Sequence, residues 1–302
     1  MLIASLPSIT KGHVRSSLRR CVTEVKSGRS LAILATAVLV GCASTPKSEP
    51  QPHHLIPGDP TAPSQVTPDE ALTIAREFAA HPWQPFSKNI LHGPDKAGIV
   101  VNTPDAGFKG QPERPGWWLP GEVNTGIPYK WGGFDDAASF DAAIENGLAA
   151  GDVSSPTKRR VDNAAVSQQA AGVDCSGFVS RCLKLPTVHD SSQLPTLCTV
   201  LPNPQDLHPG DLLNIPHRHV LLCAGWATPD HKWLYFYETG GAPDYWKPGL
   251  KQAPIDGLIA LGYQPLHYRG MATEEKVDGK EVLTRSVRTT VEIIPKPSIG
   301  EP

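Results

Sequence analysis

The chain is short of charge, and neither sign dominates. Charged residues make up 19% of its 302 residues, below the roughly 25% usual in soluble domains, and 28 Lys and Arg against 30 Asp and Glu leave a formal net charge of −2. No excess of cations is available for a polyanion, so a nucleic-acid partner is not expected. The longest apolar run, Leu31–Val40, has ten residues, whereas a membrane-spanning helix needs about 20, which disfavours a multi-pass membrane protein.

Metal-binding patterns are also lacking. The six cysteines include no Cys-x-x-Cys pair, and His208, His217 and His219 have no second cluster at ligand spacing. We therefore expect neither a metal site nor a cofactor. Hydrophobic residues at 39% are enough to bury a core.

The first 42 residues have the pattern of an export signal. Residues 1–29 are basic, the apolar run 31–40 follows, and small Gly41 precedes Cys42. The segment Leu39-Val40-Gly41-Cys42 resembles a bacterial lipobox, which implies lipidation of Cys42 and attachment to a membrane by acyl chains. Ala43, where an Asp would indicate the inner membrane, favours the outer membrane facing the periplasm. The alternative is an ordinary signal peptide in which Cys42 is incidental.

Composition divides the rest of the chain. Residues 43–66, dense in Pro, Ser and Thr, are predicted to be a flexible tether. Residues 67–123 are predicted to form an N-terminal subdomain, beginning with a helix whose Thr67-Pro68-Asp69-Glu70 has the form of a capping box. The region 124–270 contains the chemical motifs, and 271–302 is predicted to hold one further strand, over 282–294, and a loose tail.

The first chemical motif, Val173-Asp174-Cys175-Ser176-Gly177, leads directly into an apolar-periodic run that Pro186 closes. This pattern places Cys175 at or near a helix N-terminus. There the unpaired backbone N–H groups favour a thiolate over a thiol, and they can also receive an oxyanion.

Two later segments supply candidate partners for this cysteine. Residues 220–224 are predicted to be a strand buried on both faces, and His217 and His219, just before or at its start, are both candidates for a general base. Residues 232–241 form a second strand pattern, in which Glu238 lies among apolar neighbours and needs a partner. An imidazolium is a suitable one, since a carboxylate fixes the tautomer and orientation of a histidine base.

Four motifs in order resemble the NlpC-type family of papain-like cysteine peptidases, which act on bacterial cell walls. The motifs are Tyr129–Gly133, Asp174–Phe178, Pro209–Leu212, and His219-Val220 with Gly225 six residues on, and the resemblance covers residues 125–268. It implies an α+β fold with a papain-like core, in which the nucleophile helix packs on an antiparallel sheet. Around this core lie an N-terminal extension and an insertion at 134–173.

The resemblance also implies roles for single residues. Cys175 matches the nucleophile, and the family's histidine-valine pair favours His219 over His217 as the base. Glu238 matches, by strand register alone, the residue that orients the base. Tyr129 matches a tyrosine beside the nucleophile, and Asp174 and Ser176 match residues that meet the substrate.

The implied reaction is hydrolysis of an amide in peptidoglycan stem peptides, typically γ-D-glutamyl to diaminopimelate, through an acyl-enzyme. We expect peptidoglycan or muropeptides as partners, and a monomer. The alternatives are an amidase or acyltransferase acting on another envelope amide, and a non-catalytic envelope-binding lipoprotein.

Three features leave alternatives open. The 40 residues between Gly133 and Asp174 exceed the family's usual short link, and they can cap or narrow the cleft. Leu221 stands where the family often has glycine, so it either crowds the cleft or packs elsewhere. Among Cys182, Cys198 and Cys223, a Cys182–Cys198 disulfide is one interpretation and buried free thiols are the other.

Overall fold

An antiparallel sheet of six strands organises the structure, a computed structural model that describes residues 62–242 and 244–272. In spatial order its strands are β11 (Gly249–Pro254), β10 (Trp233–Glu238), β9 (His219–Trp226), β8 (Leu212–Ile215), β12 (Gln264–Tyr268) and β7 (Cys198–Val200). Strands β8 to β11 follow one another as a meander, and β12 returns to pair with β8. Mixed helices and antiparallel strands are compatible with the predicted α+β class.

The described residues also contain smaller ladders and helices. The two-stranded ladders are β1 (Pro82–Trp83) with β4 (Asn124–Thr125), β2 (His92–Pro94) with β3 (Val100–Asn102), and β5 (Ala149–Ala150) with β6 (Ala170–Ala171). The α-helices are α1 (Pro68–Ala80), α2 (Ala137–Glu145), α3 (Pro156–Val161), α4 (Cys175–Cys182) and α5 (Ile255–Ala260). Short 3₁₀ turns lie at Ser87–Asn89, Asp162–Ala165, Leu194–Leu197 and Pro204–Asp206.

Helix α1 begins at the predicted capping box. The Thr67 hydroxyl accepts a hydrogen bond from the Glu70 N–H at 3.2 Å, and Glu70 accepts one from the Thr67 N–H at 2.9 Å. Its apolar stripe packs on α4, where the rings of Phe78 and Phe178 meet edge to face at 5.7 Å. Residues 67–123 therefore share one hydrophobic core with the helix that carries Cys175.

The two faces of the central sheet bury different clusters. Val220 and Leu222 of β9 belong to the cluster that includes α4 and α1, whereas Leu221 and Cys223 belong to a second cluster with α5. Leu221 is 2% exposed in that second cluster. The structure therefore supports the interpretation that Leu221 packs away from the cleft.

The prediction that residues 43–66 form a flexible tether is wrong at the C-terminal end of that range. The Ser64 hydroxyl donates to the Lys184 carbonyl oxygen at 2.6 Å, and Val66, 1% exposed, forms a parallel bridge with buried Met271. Both ends of the described region are thus fixed to the fold, because these apolar side chains cover the core. The signal segment 1–42 with Cys42, most of the tether, and the predicted strand at 282–294 lie outside the described residues.

The insertion 134–173 is structured and contains α2, β5, α3 and β6. Lys158, in the basic run 158–160, is not on the solvated surface. That side chain is buried, and its ammonium group donates to the buried Asp152 carboxylate, which also accepts from the Asn102 N–H at 3.1 Å. Arg159 and Arg160 are exposed. A buried ammonium needs such a partner to offset the loss of its hydration.

Candidate active site

Cys175 is the first residue of α4, as its sequence pattern predicts, and Asp174 is the N-cap. The Asp174 carboxylate accepts hydrogen bonds from the Gly177 N–H at 2.7 Å, the Ser176 hydroxyl at 2.8 Å and the Gly132 N–H at 3.0 Å. These bonds tie the helix start to the 129–133 loop. The Cys175 side chain is partly exposed at the end of the helix where N–H groups lack intrahelical acceptors.

His219, at the start of β9, meets Cys175. The charge of Cys175 acts on the His219 imidazole, so the two side chains lie close together, and the His219 side chain is 21% exposed. His219 lies opposite Ile215 of β8, whereas His217 is exposed in the β8–β9 turn, with a φ of 58°. Of the two histidine candidates, His219 is therefore the one that lies beside the thiol.

Glu238 contacts the His219 ring at Nε2. Its Oε2 lies 2.9 Å from His219 Nε2 and accepts a second bond from the Gly241 N–H at 2.9 Å. The Lys251 ammonium donates to Oε1 and to the Gly241 carbonyl oxygen. Because Nε2 is engaged by Glu238, Nδ1 is the ring nitrogen left for Cys175. Glu238, 3% exposed as a side chain, thus has partners at both oxygens.

These contacts determine the charge of the pair. Burial by itself lowers the pKa of His219, but the charge of Cys175 and the hydrogen bonds that the imidazolium donates to Cys175 and Glu238 outweigh it and raise that pKa to about 10. Burial by itself raises the pKa of Glu238, but the His219 bond and the Lys251 charge lower it to about 2. At neutral pH an imidazolium therefore lies between the Glu238 carboxylate and the sulfur.

Tyr129 forms part of the wall next to the thiol. Its ring is 4% exposed, and Gly240 lies so close that an added Cβ would be 3.2 Å from Tyr129 Cε2 and 3.8 Å from His219 Cε1. Burial, and then the charge of Cys175, raises the pKa of Tyr129 well above its usual value. The phenol therefore stays neutral beside the sulfur.

Asp174 and Ser176 are engaged in capping α4. Ser176 is 6% exposed and its hydroxyl is directed to Asp174, while burial raises the pKa of Asp174 against the three hydrogen bonds that it accepts. Their geometry accounts for the position of Cys175. Contact of either residue with a substrate stays a prediction.

A cleft of about 620 Å³ opens beside His219. Gly240, Gly241 and Tyr263 line it, together with residues 154–156 and Arg159 of the insertion. The insertion therefore lines this cleft; the sequence predicts that it can cap or narrow the substrate cleft. Arg114, from the N-terminal loops, and Arg218, from the β8–β9 turn, also line the cleft.

Sequence reasoning missed Lys251 and the three cleft arginines. Lys251 is on the inward side of β11 while Leu250 points outward, 52% exposed, which is the reverse of what their hydrophobicity predicts. Its approach to Glu238 depends on the pairing of β10 with β11 across a long connection. The one signal available in the sequence was the alternation of strand residues over 249–254, which places Lys251 and Ala253 on the same face of β11.

The remaining cysteines of the described region are free thiols. Cys182 and Cys223 are buried and Cys198 is partly buried, so no Cys182–Cys198 disulfide is formed. Burial, followed by the Asp211 charge, raises the pKa of Cys198 to about 12, and burial raises that of Cys182 far above its usual value. Within residues 62–242 and 244–272 no His, Cys, Asp and Glu cluster is arranged to hold a metal ion.

Comparisons with protein-family profiles, with curated protein sequences and with solved structures gave no match for this chain. Among the described helices, none is both long and apolar enough to cross a membrane.

Proposed function

We propose that this chain is a cysteine peptidase of the NlpC type, which hydrolyses an amide bond in peptidoglycan stem peptides. The observation that carries the proposal is the arrangement of Cys175, His219 and Glu238 beside an open cleft, in which His219 lies close to the thiol and is hydrogen-bonded to Glu238. A nucleophile, a base in contact with it and a carboxylate that orients the base are the groups that acyl transfer requires.

The reaction begins with attack of the Cys175 thiolate on the amide carbonyl carbon. The carbon–oxygen π electrons move to the oxygen, and the N–H groups at the first turn of α4 are suited to stabilise that oxyanion. His219 gives its proton to the leaving nitrogen as the carbon–nitrogen bond breaks. An amine departs and a thioester remains on Cys175.

Hydrolysis of the thioester reverses these roles. His219, now neutral, accepts a proton from a water molecule whose oxygen attacks the thioester carbon. The carbon–sulfur bond breaks, a carboxylic acid is released, and the thiolate–imidazolium pair is restored. Glu238 holds the ring in place through both steps while Lys251 keeps Glu238 charged.

The arrangement of α4 on the sheet also supports a papain-like core. The helix begins at the cysteine and packs on the antiparallel strands β9 and β10, the first of which begins at the histidine. We further propose, from the sequence of residues 1–42, an exported lipoprotein that is anchored through Cys42 and faces the periplasm.

Digestion of diaminopimelate-containing muropeptides, followed by mass spectrometry, tests the function because it identifies the bond that is cut. We expect wild type to split the stem peptide at the γ-D-glutamyl bond, and Cys175→Ala to lose at least about three orders of magnitude in rate. Cleavage of a different envelope amide would instead make the chain an amidase of another class. Equal cleavage by wild type and Cys175→Ala would remove Cys175 as the nucleophile.

A further inference from the structure

We infer that the cleft beside His219 is a subsite for an anionic group, namely a carboxylate that the peptide substrate carries close to its scissile amide. Arg114, Arg159 and Arg218 would bind it. The inference rests on the proposed function, since this cleft adjoins the Cys175–His219 pair, but it adds a specificity that the pair itself does not require.

The three arginines reach the cleft from separate parts of the chain. Arg114 comes from the loop before Trp117, Arg159 from α3 in the insertion, and Arg218 from the turn between β8 and β9. None of the described residues that line the cleft is acidic, and His219 itself carries a positive charge when protonated. Because the whole chain has a formal charge of −2, this positive field is a local feature, and a recessed cleft strengthens it.

Within residues 62–242 and 244–272, these guanidinium groups form no ion pairs. Among the described residues, none of the three lies within 4.0 Å of a carboxylate oxygen, whereas Arg181 is paired with Asp136 and the buried Lys158 with Asp152. The carboxylate nearest to the catalytic pair, Glu238, is already engaged by His219 and Lys251. The cleft therefore has positive charge without an internal counter-charge.

Aromatic rings support two of the arginines. The Arg114 guanidinium lies 5.0 Å from the centre of the Tyr245 ring, and that of Arg159 lies 5.7 Å from the centre of the Trp131 ring. A guanidinium held over an aromatic face keeps its in-plane N–H groups for other acceptors. Carboxylates fit such a planar fork through two parallel hydrogen bonds.

The size of the cleft favours a peptide over a small inorganic anion. A volume of about 620 Å³ is in the range that takes a drug-sized ligand, and the cleft is continuous with Gly240, Gly241 and His219. A substrate held in it by a carboxylate would therefore extend to the reacting sulfur. The insertion supplies Arg159, which gives the additional 40 residues a role in choosing the substrate.

A matched pair of substrates tests the subsite. One is the tripeptide L-alanyl-γ-D-glutamyl-diaminopimelate with free carboxyl groups, and the other is the same peptide with the glutamyl α-carboxyl and the diaminopimelate carboxyls converted to carboxamides. We expect wild type to prefer the free acid by about tenfold or more in kcat/KM, mainly through KM. Arg159→Gln and Arg114→Gln should each reduce that preference, and added salt should weaken it.

Arg160→Gln is the control, because Arg160 is exposed on the same helix and does not line the cleft. It should keep the wild-type preference. Equal kcat/KM for acid and carboxamide in wild type would overturn the subsite while leaving the proposed hydrolysis intact. An equal loss of preference in Arg160→Gln and Arg159→Gln would overturn the assignment to the cleft.

Binding to Cys175→Ala separates the subsite from hydrolysis. Calorimetric titration with the free-acid tripeptide should give a Kd at least about tenfold lower than with the carboxamide, and Arg159→Gln in that background should remove the difference. If this holds and wild type cuts neither peptide, the subsite stands and the proposed function fails. Tighter binding of inorganic phosphate than of the tripeptide would overturn the peptide-carboxylate assignment.

Discussion

At the scale of single residues, the buried Glu238–Lys251 pair distinguishes this site from a simple cysteine–histidine pair. A lone carboxylate beneath His219 would be costly to bury, and Lys251 offsets that cost while the His219 contact is kept. The pair also affects stability. With a folded pKa near 2, Glu238 contributes stability above its ordinary pKa that is lost as the pH falls through about 2. With a folded pKa near 10, His219 contributes stability below about pH 6.5 that is lost as the pH rises through about 10.

Glu238→Gln should lower kcat by about two to four orders of magnitude, because the imidazolium loses the charge that orients and stabilises it. The same loss should lower the pKa of His219, so the alkaline limb of the kcat/KM profile should shift by about one unit or more to lower pH. Rates measured between pH 5 and 11 check both effects.

The double variant Glu238→Gln/Lys251→Met is the control for the cost of leaving the buried Lys251 ammonium without a counter-charge. It removes both charges, so it should recover part of the stability lost in Glu238→Gln without recovering its rate. Wild-type rates and an unchanged alkaline limb in Glu238→Gln would show that Glu238 does not orient His219.

At the scale of elements, α4 depends on a glycine that the motif Asp174–Phe178 contains. A Cβ at Gly177 would lie 1.8 Å from the Gly133 carbonyl oxygen, so this position admits no side chain while the helix start contacts the 129–133 loop. The Gly133 carbonyl also accepts the Asp174 N–H at 3.2 Å. The glycine therefore permits the close approach that positions Cys175.

Gly177→Ala should destabilise the protein by about 1–3 kcal/mol or more, since a backbone carbonyl must move. It should also lower kcat/KM, because Cys175 moves with the helix end. Gly249→Ala is the matched control, as a Cβ there would meet nothing closer than Lys251 Cε at 4.0 Å. Urea unfolding and rate measurements on both variants make the comparison, and equal stability of the two would refute this account of α4.

Local sequence patterns predicted the structural features that depend on residues close to one another in the sequence. The capping box of α1, the position of Cys175 at a helix start, and the place of Glu238 among apolar neighbours in a strand follow from spacings of a few residues. The contact of Lys251 with Glu238, the burial of Lys158 and the bridge from Val66 to Met271 do not. They depend on how distant segments pair, and no local periodicity encodes that pairing.

At the scale of the whole molecule, a buried ion pair secures the insertion. Asp152 and Lys158 are both nearly inaccessible, and Asp152 also binds the backbone of β3 through the Asn102 N–H. Burial, only partly offset by the Lys158 charge, raises the pKa of Asp152 to about 6. The part of the cleft that carries Arg159 is therefore linked to β3 through Asp152, which binds both Lys158 and the Asn102 N–H.

Lys158→Met should cost about 3–5 kcal/mol at pH 8, because it leaves a buried carboxylate without its partner. The cost should shrink at pH 5, below the pKa of Asp152, where that carboxyl can take up a proton and become neutral. Lys158→Met/Asp152→Asn should recover most of the loss. Urea unfolding of the variants at both pH values measures this, and additive losses in the double variant would contradict a coupled pair.

The whole fold brings together Cys175 and His219, which are 44 positions apart in the sequence, and the rate at which iodoacetamide alkylates each cysteine tests that pairing most directly. Peptide mapping by mass spectrometry at pH 7 should show Cys175 reacting at least about tenfold faster than Cys198. His219→Ala should remove that advantage, and His217→Ala should keep it. Alkylation of Cys175 at the rate of Cys198, or at a rate unaffected by His219→Ala, would contradict the activation of Cys175 by His219.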